Sequence, residues 1–201
     1  SRVVGFHSRN PPHRIHEYIQ LTALTNSHAD GLFISPVIGP KKVGDFQSDL
    51  ILRSYETMIK KGIYPERKVV LGSFSTYPRY CGPRETVFTM LCRKNMGCSH
   101  FIIGRDHAGV GTFYNLEDNY KLLENLGDIG IKPILFEEIG YSPIKKEFVK
   151  VGESEEILKI SGTNAREALR NNRELPDWFM RSEVQSILRD AIERGVEVIH
   201  Q

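Results

Sequence analysis

Short runs rich in β-branched and aromatic residues alternate with helix-like segments along most of this chain, and that alternation restricts the fold more than any other feature. The strand candidates are Val3–Phe6, Leu32–Val37, Lys68–Gly72, Phe101–Ile103 and Pro133–Phe136. Between them lie helical patterns over Arg14–Thr25, Asp45–Lys61, Pro83–Asn95 and Leu116–Asn125. Pro83 falls in a first helical turn, where its missing N–H costs nothing. Strand–helix alternation predicts an α/β fold with a parallel, Rossmann-like sheet and right-handed crossovers. Ligands of such sheets collect at the carboxyl ends of the strands, and the polar, glycine-rich segments fall there. From about Tyr141 the rhythm changes to an extended or hairpin excursion, "YSPIKKEFVKVGESEEI", followed by "KISGTNAREALR" and a helix near Glu183–Arg194. The expected organisation is a main domain over 1–140 and a small C-terminal α/β subdomain over 141–201. The second is packed on the first, because an independent unit of about 50 residues would be marginal.

Composition narrows the class. The 201 residues are 40% hydrophobic and 26% charged with a formal net charge of +2, an ordinary globular balance without the basic excess of a general nucleic-acid binder. No apolar run approaches the roughly 20 residues of a membrane helix, and the start lacks a signal-peptide core. Three cysteines, Cys81, Cys92 and Cys98, form no disulfide-framework pattern, which points to a reducing cytoplasm. Cys92 and Cys98 read as small buried hydrophobes.

Four stretches carry chemistry. In "GFHSRNPPHRIHEY" a strand ends, two prolines enforce a turn, and a helix starts near His13. His13 and His16 are three apart and share a helical face. The N–H groups and positive dipole end of a helix start suit an anion, Arg9 adds a permanently charged fork, and Asn10 adds an amide donor. A zinc pair or ordinary histidines are competing readings, though the spacing is not HExxH and no third ligand follows. In "FIIGRDHAGVGTFY" a buried strand ends at Gly104, and Arg105 and His107 supply donors beside glycines that permit close backbone approach; a tight structural turn would also explain it. In "ISGTNAR", Ser161 and Thr163 can cap a helix and Arg166 lies one turn along it. "PRYCGPRE" offers arginines at another strand-to-helix turn, where capping and salt bridging compete with a ligand role. Lys41 and Lys42 are candidate phosphate contacts or solvated loop lysines.

Taken together, the motifs resemble ATP sulfurylase (sulfate adenylyltransferase). The family's glutamine-led turn into HxxH is matched by His7-Ser8-Arg9-Asn10 and His13-Arg14-Ile15-His16. G-R-D-H-A-G stands intact at Gly104–Gly109, R-Y-x-G-P-R-E at Arg79–Glu85, and S-G-T-x-x-R at Ser161–Arg166. The resemblance implies the fold of the HxGH nucleotidylyltransferase superfamily and transfer of adenylyl from MgATP to sulfate, giving adenosine 5′-phosphosulfate and pyrophosphate reversibly. It implies sulfate held by His7, Arg9 and a backbone N–H at Ala108. The nucleotide phosphates would meet Ser8, Asn10, His13, His16, Gly104, Arg105, Asp106 and His107. Arg9, Asn10, His13, His16 and Arg105 are the implied catalytic set. Mg²⁺ arrives with ATP, no protein-bound zinc is expected because no cysteine follows Cys98, and self-association is implied, with neither nucleic acid nor membrane as a partner. The chain lacks the N-terminal domain that precedes this region in the family, so it reads as a catalytic fragment.

His7 replaces the usual glutamine. Histidine donates from both ring nitrogens only when protonated, which suggests weaker or pH-dependent sulfate binding. Cys81 stands where alanine is common, a packing change. Two other readings remain: a degenerate nucleotide-binding regulatory domain, and a different HxGH-superfamily nucleotidylyltransferase. Ile15 at the glycine position of HxGH weighs against the latter.

Overall fold

The computed structural model describes residues 1–104, 114, 116–171 and 173–200. Its main sheet has five parallel strands in the order β3-β2-β1-β4-β5. These are β1 (Val3–Phe6), β2 (Gly31–Ile34), β3 (Val69–Leu71), β4 (His100–Ile103) and β5 (Lys132–Leu135). The central strands β1 and β4 have no polar face: Val4, Phe6, Phe101, Ile102 and Ile103 are all buried, as a sheet covered on both sides requires. The edge strand β3 is looser, and Val70 is 64% exposed.

Helices α1 (Arg14–Asn26), α2 (Ser48–Lys60), α3 (Pro83–Asn95) and α4 (Leu116–Leu126) connect the strands. Ile19 of α1 and Leu50 and Ile51 of α2 join Val4 and Ile34 in one apolar cluster, while Met90 of α3 packs with Cys98, Phe101 and Ile103 in another. From β1 the chain winds outward through β2 to β3, then returns to β4 on the other side of β1. The carboxyl ends of β1 and β4 therefore flank the switch point, where such a sheet leaves a crevice.

Beyond β5 come an antiparallel hairpin, β6 (Ile139–Ser142) with β7 (Glu147–Lys150), and two helices, α5 (Gly162–Arg170) and α6 (Ser182–Glu193). Val184 and Leu188 of α6 are fully buried in the same cluster as Val4 and Ile51. Glu17 and Arg181 add a bidentate ion pair between α1 and the start of α6, both bonds 2.7 Å.

Element types agree with the sequence reading, and two boundaries differ for tertiary reasons. Helix α2 starts at Ser48 rather than Asp45, because residues 44–47 pair with the C-terminal segment. Gly44 and Gln47 donate to His200 and Val198, and His200 donates to Asp45. Strand β2 ends at Ile34, and Val37 instead bridges Phe74 in the loop after β3. All three cysteines are free; Cys98 is buried and Cys92 half-buried. Among the described residues no helix is long and apolar enough to cross a membrane.

Candidate active site

Strand β1 delivers the chain to the switch point, and the turn from His7 to His13 is built there. Ser8 closes it: its buried hydroxyl accepts the N–H of Asn10 and donates to the Asn10 carbonyl, both at 3.0 Å. Pro11 and Pro12 are buried and steer the chain into α1. His13 is the N-cap of that helix, in extended backbone, with Nδ1 accepting the N–H of His16 at 3.3 Å. It therefore does not lie on a helical face with His16. The two rings stack instead, with centroids 3.6 Å apart and planes 21° from parallel. Phe6 packs edge-on against His16 at 5.3 Å.

This packing sets the charge. Desolvation lowers His13 to about 4, and it holds His16 well below the usual imidazole value, helped by His13. Both rings are thus neutral at physiological pH. Because Nδ1 of His13 accepts, its ring proton sits on Nε2, available as a donor. Nδ1 of His16 is buried with no partner among the described residues.

The positive charge of the site comes from arginine and lysine. Arg9 donates from Nη1 to the Tyr80 hydroxyl at 2.6 Å, and Lys42 lies 4.1 Å from the centroid of the same ring. Lys41 turns back to donate to the Val37 carbonyl at 2.8 Å, and desolvation lowers its pKa. Behind β1, Arg93 is fully buried. It stacks 4.1 Å over Phe74, donates to the Ser35 carbonyl at 3.0 Å, and meets Nδ1 of His7 at 3.1 Å. Burial lowers its pKa to about 10.

Across the crevice, Ser161 caps α5 by accepting the N–H of Asn164 at 3.4 Å. Arg166 folds back over the helix start, close to Gly162. The result is a cleft of about 840 Å³. His7, Ser8, Arg9, Asn10, His13, His16, Gly104, Ser161, Thr163 and Arg166 all line it. The first and third motifs thus converge with Gly104 of the second, and the fourth contributes Pro78, Tyr80 and Glu85 rather than its arginines. Arg79 stacks on Tyr77 and Phe88, Arg84 is exposed, and Cys81 is exposed with its thiol on the Arg79 carbonyl. The expected sites at Arg105, Asp106, His107 and Ala108 lie outside the described residues. Among the described residues, no group of three or more His, Cys, Asp or Glu side chains could hold a metal ion.

Sequence reasoning missed Tyr80 and Arg93 as members of this neighbourhood. Arg93 had a signal: Thr86, Thr89, Met90 and Arg93 recur on the buried face of α3, and an arginine on such a stripe demands a partner.

A 3-2-1-4-5 parallel sheet with arginine, histidine and asparagine side chains at its switch point is the arrangement of a doubly wound α/β protein with a ligand crevice there. Two solved structures share the fold. The hexameric APS kinase from Thiobacillus denitrificans matches 94% of this chain and 36% of its own, with a TM-score of 0.74 at 20% identity. The Plasmodium falciparum nicotinic acid mononucleotide adenylyltransferase complexed with NaAD matches 97% and 96%, with a TM-score of 0.58 at 11% identity. The chain belongs to the ATP-sulfurylase family, whose sequence profile matches residues 1–191. Similar relatives include the sulfate adenylyltransferase of Staphylothermus marinus, 41% identical over 92% of this chain and 49% of that protein. That of Nostoc punctiforme is 42% identical over 98% of this chain and 51% of its own length. The chain spans about half the length of the curated relatives it matches.

Proposed function

We propose that this chain transfers adenylyl from MgATP to sulfate, giving adenosine 5′-phosphosulfate and pyrophosphate, and catalyses the reverse reaction. The observation that carries the reading is the meeting of Arg9 with the neutral His13–His16 stack in one cleft at the switch point. Family membership supports it. A sulfate oxygen attacks the α-phosphorus in line; the new O–P bond forms as the bond to the β-phosphate bridging oxygen breaks, and pyrophosphate leaves with the electron pair. No covalent enzyme intermediate is needed.

Arg9 and His7 hold sulfate, with a backbone N–H at Ala108 by analogy with the family. Asn10, His13 and His16 donate to the nucleotide phosphates, and Gly104, Arg105, Asp106 and His107 complete that contact. Neutral imidazoles suit this task, because they present N–H donors fixed by packing, and fixed donors stabilise charge growing on the leaving group without reorganising. MgATP is the substrate, so the metal enters with the nucleotide. Ser8 acts through the turn it closes. Residues 1–140 form the catalytic unit, and 141–201 complete the cleft through Ser161, Thr163 and Arg166. The reading includes a cytoplasmic, self-associating protein. Three free thiols support the first, and the hexameric APS kinase that shares the fold supports the second.

The test is ATP formation from adenosine 5′-phosphosulfate, pyrophosphate and Mg²⁺, the energetically easy direction, with His16→Ala as control. ATP from this chain and at least tenfold less from the control is the expected outcome. Nucleotide binding without ATP formation would overturn the reading in favour of a degenerate binding domain.

A further inference from the structure

Among the described residues no carboxylate lies within ion-pair distance of Arg9; its side-chain partner is a phenol. The Tyr80 hydroxyl accepts from Nη1 at 2.6 Å, and the guanidinium carbon lies 4.9 Å from the ring centroid. Lys42, from the loop after β2, sits 4.1 Å from the same centroid. Two cations are thus gathered on one aromatic ring that lines the cleft.

The backbone beneath Tyr80 is itself unusual. Tyr80 has φ of 54°, a left-handed conformation disfavoured for a bulky residue, and Gly82 two positions on has φ of 55°. Buried Glu85, at the start of α3, holds this loop from both sides of Tyr80. Its two oxygens accept the N–H of Arg79 at 2.8 Å and of Cys81 at 3.1 Å. A conformation this costly persists only when its surroundings impose it, and here they direct one side chain at Arg9.

We infer that Tyr80 is the positioning residue of an oxyanion clamp, holding Arg9 and Lys42 together so that the site selects a tetrahedral dianion over a monoanion. This rests on the sulfate reading above and assigns its charge selectivity. A carboxylate in the same place would fix Arg9 equally well but would neutralise it and compete with the ligand. A neutral phenol restrains the guanidinium through one of its five N–H groups and leaves its charge intact. Two cations drawn to one ring repel each other while the site is empty, and that repulsion is relieved most by a ligand carrying two negative charges. The ring face attracts both cations, so removing the hydroxyl alone weakens the clamp and removing the ring dismantles it.

The experiment is calorimetric titration with sulfate and with perchlorate, a tetrahedral monoanion, in the presence of Mg²⁺ and the α,β-methylene analogue of ATP. The proteins are the unaltered chain, Tyr80→Phe, Tyr80→Leu and Lys42→Gln. Tyr80→Phe is expected to weaken sulfate binding about five- to tenfold. Tyr80→Leu is expected to weaken it about thirtyfold or more. Both, like Lys42→Gln, should lower the ratio of sulfate to perchlorate affinity while affinity for the ATP analogue stays within about twofold. Equal losses for both anions, a parallel loss of nucleotide affinity, or unchanged sulfate binding in Tyr80→Phe would overturn the clamp. If the unaltered chain binds sulfate but makes no ATP, the proposed reaction fails while the titrations still decide the clamp. If it binds no sulfate at all, both are overturned.

Discussion

His13 does two things at once: it caps a helix through Nδ1 and presents Nε2–H to the cleft. Burial keeps both rings neutral, and this makes stability depend on pH in a definite direction. Unfolded histidines titrate near 6.5, whereas folded His13 titrates at about 4. The unfolded chain therefore binds more protons between these values. The contribution of His13 is complete above pH 6.5 and is lost as pH falls towards 4. His13→Asn keeps an N-cap acceptor and removes the titration, so the decline of the unfolding midpoint between pH 6.5 and 4 should be shallower than in the unaltered chain. An identical decline would show that His13 is not the desolvated group. His7 gives a second residue-scale prediction. A guanidinium has no acceptor, so the 3.1 Å contact from Arg93 requires a bare Nδ1 and a proton on Nε2. In that tautomer the single N–H of the ring is on Nε2. Long-range ¹H–¹⁵N spectra should show His7 as the Nε2–H tautomer, and Arg93→Met should convert it to a tautomer mixture.

At the scale of elements, the loops after β2 and β3 are locked together backbone to backbone. Ile38 donates to Phe74 at 3.1 Å, and Phe74 donates to Pro36 at 2.9 Å. Gly39 then passes so close to the Thr76 backbone that a Cβ could not be accommodated without moving one of the chains. Because the obstacle is main chain rather than a flexible side chain, Gly39→Ala should cost about 2 kcal/mol or more in chemical denaturation. Under the proposed function it should also raise KM for sulfate, since this pair of loops carries Lys42 and Tyr80. Loss of stability below about 0.5 kcal/mol would show that the loops can separate freely.

For the whole molecule, α6 ties the C-terminal segment into the main apolar cluster. Leu188 is fully buried among residues of β1 and α2, far from it in sequence. Truncating it leaves a cavity that both parts of the chain feel. Leu188→Ala should cost about 2–5 kcal/mol and lower the midpoint of a single unfolding transition monitored at Trp178. The Glu17–Arg181 pair bridges the same two parts with little solvent around the carboxylate, whose side chain is 10% exposed. Arg181→Met should therefore cost more than a typical surface ion pair, about 1–3 kcal/mol, because it takes both short bonds from Glu17 and leaves it only the 3.9 Å contact with Arg14. Two separate transitions in either variant would mean that residues 141–201 unfold on their own.

Much of the architecture is local information. Val3–Phe6, continuous in apolar character, could be read as a buried strand, and Pro83–Asn95 as a helix with proline in its first turn, because periodicity and capping act within one element. The motif around Arg9, Asn10, His13 and His16 was legible for the same reason: a strand end, two prolines and a helix start are neighbours in sequence. What only the tertiary structure decided is how distant segments complete that turn. Tyr80 reaches Arg9 across 71 positions, and Arg93 reaches His7 across 86. The C-terminal segment sets where α2 begins by taking the hydrogen bonds of residues 44–47. No local pattern encodes these contacts, because they exist only once the sheet has brought the loops to a common edge. The sequence by itself determined a parallel α/β sheet and a strand-to-helix turn that carries Arg9, Asn10, His13 and His16. Packing determined which of its rings are neutral, which cations share an aromatic face, and so what charge the cleft presents.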